Sequence, residues 1–277
     1  MEYNLIADSC CDLTDEMQSA FDAKMVPLTL LLGSREYIDD ESLNVPEFIR
    51  TMQACTEKVG SAAPPPYLYE QAIRSSRLTS FIVTLSSRLS GSYNSAVAAM
   101  LEAERDGYDV HVFDSKSAAA GEVLVALKIA EFAAKGLSQT EIIEKVESFI
   151  KEMQTFFVLD RVDNLLKNGR LGKIAGKLIS VLNIKPVLGS DGDGNIVQYS
   201  KARGPKQIVL KLIEMIENTK IDTSERSLVI AHCNNIAAAR ELAEMAKQKF
   251  HFRDIVLVPT KGLSSLYADD KGIIISY

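Results

Sequence analysis

Short apolar runs that end in polar turns and give way to helical stretches set the strongest limit on how this chain folds. Tyr3–Ala7 ends in Asp8-Ser9-Cys10-Cys11, Met25–Leu32 is closed by Gly33, Phe81-Ile82-Val83 runs into a serine-rich loop, and Val110–Phe113 ends in Asp114-Ser115-Lys116-Ser117. Helical stretches lie between and after them. Thr14 caps the first, and Asp15 and Glu16 put the sign that the helix dipole prefers into its first turn. Asn44 and Pro46 open the next. Ser95–Ala103 is small and Ala-rich, and a longer Ala-rich segment runs to Lys135. Ser138 and Glu141 then form a capping box for a helix ending near Met153. Strand and helix alternating at this spacing predict a parallel sheet covered on both faces, with the strand ends lining a ligand crevice.

From Thr155 the pattern becomes mixed, which divides the chain into 1–155 and 156–277; at 277 residues it is long enough for one large or two moderate domains. Phe156–Leu159 reads as a strand. Asp191-Gly192-Asp193-Gly194-Asn195 reads as a hairpin turn between Pro186–Leu188 and Ile196–Tyr199. A helix over Pro205–Thr219, a strand over Leu228–Ala231, a helix over Ile236–Phe250, a strand over Ile255–Val258 and a last strand up to Ser276 follow. Between Lys167 and Lys211 stand nine Lys/Arg against two Asp, a segment of +7 in a chain whose net charge is −6. Such a patch fits an anionic group or an acidic partner face, or a solvated basic surface.

Composition removes several classes. A net charge of −6 argues against general nucleic-acid binding, which needs clustered positive charge along the contact. No run approaches the ~20 apolar residues of a membrane span. The start lacks the basic and apolar regions of a signal peptide. Cys10, Cys11, Cys55 and Cys233 show no zinc spacing, and a vicinal pair is poorly placed for an ordinary disulfide. A reducing cytoplasm is the expected home. No phosphate loop, dinucleotide fingerprint or nucleophile elbow is present, and His111, His232 and His251 have no serine or cysteine at telling spacing. Neither a metal nor a cofactor is expected.

Two loops carry hydroxyls where a ligand would meet them. In Thr84–Ala96, T-L-S-S-R-L-S-G-S-Y-N-S-A, the serines Ser86, Ser87, Ser90 and Ser92 surround Gly91 between a strand end and a helix start, where an anion is favoured. An ordinary strand-to-helix loop with a serine cap reads the same way. Gly60–Pro66 reads as a rigid loop before a helix near Tyr67, with Ser61 either a pocket hydroxyl or an exposed one.

D-S-C-C-D-L near the start, S-A-A-P-P-P, L-S-S-R-L-S-G-S-Y-N-S-A, D-S-K-S-A-A-A-G and L-L-K-N-G-R-L-G-K together resemble the DegV family of bacterial fatty-acid-binding proteins, in the family's order and over nearly the whole chain. The resemblance implies an N-terminal three-layer α/β/α domain with a mostly parallel sheet and a smaller C-terminal α/β domain with a mixed sheet. It implies a long-chain fatty acid buried between them, its carboxylate held by Ser61 and by Ser90 with nearby backbone N–H groups of Gly91 and Ser92. The implied partner is an ATP-dependent fatty-acid kinase, the chain itself being a carrier without a catalytic centre; transient membrane contact for acyl exchange is left open. Arg170 and Arg203 match arginines used near the phosphorylated head group or the kinase, although Asn168 replaces a family glycine. The family's C-terminal histidine is absent from Thr260–Tyr267; either Lys261 takes its place as a point charge or the site lacks that contact. A small-molecule kinase subunit, an acyl hydrolase and a lipid-responsive regulator stand as the alternatives.

Overall fold

The computed structural model describes residues 1–177 and 184–277. The first part runs β1 (Asn4–Asp8), α1 (Asp15–Phe21), β2 (Lys24–Val26), β3 (Thr29–Leu32), β4 (Arg35–Ile38), α2 (Val45–Ala54), β5 (Val59–Ala62), α3 (Pro66–Arg74), β6 (Ser80–Thr84), α4 (Ser92–Arg105), β7 (Val110–Asp114), α5 (Ala120–Ala134) and α6 (Gln139–Glu152). The second runs β8 (Thr155–Val158), α7 (Asp163–Lys167), β9 (Ile184–Ser190), β10 (Ile196–Arg203), α8 (Pro205–Thr219), β11 (Ser227–His232), α9 (Ile236–Lys249), β12 (Asp254–Pro259), α10 (Gly262–Ala268) and β13 (Ile273–Ser276). Local chemistry sets several starts. Thr14 accepts from the Met17 N–H, Asn44 accepts from the Glu47 N–H, and Ser138 and Glu141 make the reciprocal capping box.

Three sheets form. β2-β1-β6-β7 is entirely parallel; β4-β3-β5 is antiparallel; and β10-β9-β8-β13-β11-β12 is mixed, parallel only between β11 and β12. Every strand of the mixed sheet lies at or after Thr155. Alternate side chains of the parallel sheet serve two layers. Ile6, Ile82 and Val112 pack with α3 and α4, while Leu5, Phe81, Val83 and Phe113 pack with α5. The far side of α5 meets Val229, Ala231 and Ile274 of the mixed sheet, whose other face carries α8 and α9. Helix α5 is therefore sandwiched between two sheets. That position explains why Gly121 through Ala126 are all buried and why its sequence lacks an amphipathic pattern.

Four local expectations change. The apolar run Met25–Leu32 is two strands in different sheets, split at Pro27, which has no N–H to offer a continuing ladder. The polar turn after it is a tight hairpin: Gly33 at φ 61° connects Leu32 to Arg35. The stretch expected as a loop from Gly60 begins as β5, with Ser61 paired to Leu30; only Ala63, Pro64 and Pro65 are irregular before α3 starts at Pro66. Helix α4 starts at Ser92 with Gly91 as its cap, rather than at Ser95 behind a serine cap.

Candidate functional site

An elongated cavity lies at the carboxyl ends of β6 and β7, against the inner face of the mixed sheet. It encloses about 840 Å³ of empty space, counted with the open solvent at its mouth. Its walls are mainly apolar: Leu28 and Leu85 from one side, Phe157 and Ile274 from the mixed sheet, Leu165 and Ile196 from the segments that close it. Ser61, Ser90 and Arg170 also line it, together with Tyr267 of α10.

Arg170 is the hub of these polar groups. Its Nε donates to the Leu89 carbonyl at 3.2 Å, next to Ser90, and its Nη1 donates to the Asn168 carbonyl at 2.7 Å. The guanidinium carbon stands 5.8 Å from the centre of the Tyr267 ring. Asn168, which breaks the family's glycine pattern, ties this turn to β5: its Nδ2 donates to the Val59 carbonyl at 2.8 Å. Ser61 is two residues further along that strand, and its Oγ lies 3.0 Å from the Tyr267 hydroxyl. Four segments far apart in sequence thus converge through one guanidinium.

The donors left over point to the chemistry. Ser90 Oγ accepts from the Ser92 N–H at 3.2 Å, and its own proton meets no acceptor among the described residues. The Nη2 of Arg170 likewise has no acceptor among them. Ser61 and Tyr267 have two hydroxyl protons and spend one on each other. Donors with no opposing acceptor, grouped in an otherwise apolar cavity, suit an acceptor-only anion with an apolar body, because a carboxylate there needs N–H or O–H partners.

Other candidates lie elsewhere. Gly91 is exposed and does not line the cavity. Ser92 is fully buried, its hydroxyl 2.9 Å from that of Tyr69 and its N–H given to Ser90. Lys261 does not line the cavity. It caps α10, gives its N–H to Asp12 at 2.8 Å, and borders a separate open cleft with Asp15, Asp39 and Asp40 rather than the cavity. Arg203 is exposed at the end of β10, outside the cavity.

The loop Asp114–Ala119, within the D-S-K-S-A-A-A-G motif, supplies a further wall. Lys116 and Ala119 both adopt φ 52°, a strained setting for residues with a Cβ. The conformation is held by the Asp114 carboxylate, which accepts from the N–H groups of Ser87 and Lys116, and by Ser190, whose hydroxyl donates to the Lys116 carbonyl at 3.0 Å. Behind this wall sit buried acids. Burial raises Asp8, and burial together with the Asp8 charge raises Glu122 well above the usual carboxylate range. Burial pushes Asp12 up to about 8 and Asp39 to about 6. Cys10, which lines the cavity, is raised by burial and then by the neighbouring acids. Its thiol is held protonated, the opposite of an activated nucleophile.

A two-lobed α/β protein with an apolar cavity closed by hydroxyl and guanidinium donors is a recognisable class. The model of the DegV family, described as uncharacterised proteins, matches residues 2–276, and the chain belongs to that family. A DegV domain-containing protein of Streptococcus pneumoniae is 34% identical over 281 residues, covering 100% of this chain and 99% of that protein. Among solved structures, a DegV family protein of Ruminococcus gnavus with vaccenic acid superposes with a TM-score of 0.95 at 37% identity, covering 100% of both chains. The B3 protein of the Streptococcus pneumoniae fatty acid kinase, loaded with linoleic acid, gives a TM-score of 0.91 at 32% identity, covering 100% of this chain and 99% of that one.

Proposed function

We propose that this protein is a carrier of a long-chain fatty acid, held between lobes 1–155 and 156–277. The tail fills the apolar cavity, and the carboxylate sits among Ser61, Ser90 and Arg170. The observation that carries this reading is the convergence of unspent donors on one apolar cavity. The fatty acids bound by the Ruminococcus gnavus and Streptococcus pneumoniae proteins support it. Burying a ~16-carbon tail at ~0.8 kcal/mol per CH₂ gives roughly 12 kcal/mol before the costs of binding. The polar groups therefore set orientation and head-group selectivity more than total affinity.

The partner is an ATP-dependent fatty-acid kinase that phosphorylates the presented carboxylate, after which the carrier holds the acyl-phosphate. Arg203, exposed on the basic segment, serves that partner or the phosphate. The chain has no catalytic role of its own in this scheme, in keeping with the protonated cavity thiol. It works in the cytoplasm; among the described residues no helix is long and apolar enough to cross a membrane. Native mass spectrometry of the purified protein, followed by delipidation and re-binding, tests the reading. A co-purified long-chain acid that re-binds is expected. A protein that carries no acyl ligand and takes none up refutes it, and turnover of an acyl substrate without any partner favours an enzyme instead.

A further inference from the structure

We propose that Tyr267 is the head-group donor that selects a free carboxylate over its ester. The inference rests on the fatty-acid reading above and assigns a role at that site to a residue the sequence did not single out. Lys261, the candidate replacement for a missing histidine, faces the other cleft. Tyr267 lies on the same short helix six residues later and lines the cavity.

The phenol is held in place before any ligand arrives. The first turn of α10 is fixed by distant carboxylates: Asp39 accepts from the N–H groups of Gly262 at 3.0 Å and Leu263 at 2.8 Å, and Asp12 accepts from Lys261 at 2.8 Å. At its other end, the Asn164 side chain donates to the Leu266 carbonyl at 2.8 Å. The ring is braced by the Arg170 guanidinium at 5.8 Å, and the hydroxyl by Ser61 at 3.0 Å. Two rotatable bonds remain, and both ends of the ring are engaged, so little ordering is left for binding to supply.

Hydrogen-bond accounting assigns the donor. The Ser61–Tyr267 pair keeps one proton between its oxygens and turns one outward. The phenol is the more acidic O–H, so the favoured arrangement has Ser61 donating to Tyr267 and Tyr267 donating to the ligand, each bond polarising the next. A carboxylate receives that proton as a charge-assisted bond, about twice as strong as the bond an uncharged ester receives.

The test is titration of delipidated protein with oleic acid and with methyl oleate, for the parent, Tyr267→Phe and Ser61→Ala. Phe keeps the ring under Arg170 and removes only the hydroxyl. The expected result is an acid affinity lowered about tenfold in Tyr267→Phe, with methyl oleate lowered only about threefold, and a smaller loss of about threefold for acid in Ser61→Ala, where the phenol still donates. Parent-like acid binding by Tyr267→Phe overturns the proposal. So does an equal loss of acid and ester, or a larger loss in Ser61→Ala than in Tyr267→Phe. A parent that binds neither compound refutes the carrier reading itself, an outcome separate from all of these.

Discussion

Replacing Ser90 by alanine isolates the remaining hydroxyl of the site. Ser90 Oγ accepts one N–H, from Ser92 at 3.2 Å, and its proton is unspent among the described residues. Its backbone is held by the bond from Arg170 Nε to the Leu89 carbonyl at 3.2 Å. A ligand carboxylate there gains a charge-assisted hydrogen bond worth ~1.5–3 kcal/mol, so Ser90→Ala lowers fatty-acid affinity about 10- to 150-fold. The folding cost is smaller. The variant removes the acceptor of one N–H in the first turn of α4, a cap-like loss of about 1 kcal/mol. Titrating a fluorescent long-chain fatty acid into delipidated parent and variant measures the first effect, and urea denaturation of the ligand-free proteins measures the second. Parent-like affinity in Ser90→Ala places the carboxylate away from this loop and breaks the chain of reasoning from donors to ligand.

Arg170 and Arg203 separate in the same assay: Arg170→Ala lowers fatty-acid affinity because it lines the cavity and braces Leu89 and Tyr267, whereas Arg203→Ala leaves it unchanged and weakens only kinase-dependent phosphorylation. Equal fatty-acid affinities for the two variants count against this division. Burial raises Asp12 from 3.8 to about 8, so the folded state favours its neutral form; the resulting stability is complete below about pH 4 and is lost as pH rises through 8. Between pH 5 and pH 8 that loss amounts to about 3–4 kcal/mol, and Asp12→Asn flattens it; urea denaturation at the two pH values showing the parent's full slope in the variant contradicts the assignment.

What the sequence made legible was local. The caps at Thr14, Asn44 and Ser138 and the hairpin at Asp191–Asn195 follow from side chains within a few residues of the backbone they satisfy, and α8 starts where Pro205 follows Gly204. Ser61 and Ser90 stood out as loop hydroxyls while their role, and Arg170, came through a family resemblance; all three line one cavity. The split of Met25–Leu32 was hidden because an apolar run looks the same whether it continues one strand or turns at Pro27 into another sheet. Strand β5 was hidden because Gly60-Ser61-Ala62 ahead of three prolines reads as a turn, yet Thr29–Leu32 supplies a ladder for it.

Helix α10 and Tyr267 show why the rest was out of reach. Gly262-Leu263-Ser264-Ser265 has poor helical propensity, and a segment of seven residues is too short to be stable alone. Its N–H groups are satisfied by Asp12 and Asp39, which lie more than 200 positions earlier, so no window of sequence contains both the helix and its caps. Asn168 makes the same point from the other direction. Compared with the family pattern it is a departure that casts doubt on the arginine after Gly169. In three dimensions its amide fastens the Arg170 turn to β5, and a side chain on Gly60 would meet its Oδ1 at 2.9 Å. The glycine at 60 and the asparagine at 168 are therefore one device. A side chain at 60 has to displace the asparagine amide, and with it the Asn168–Val59 bond that ties the Arg170 turn to the strand of Ser61.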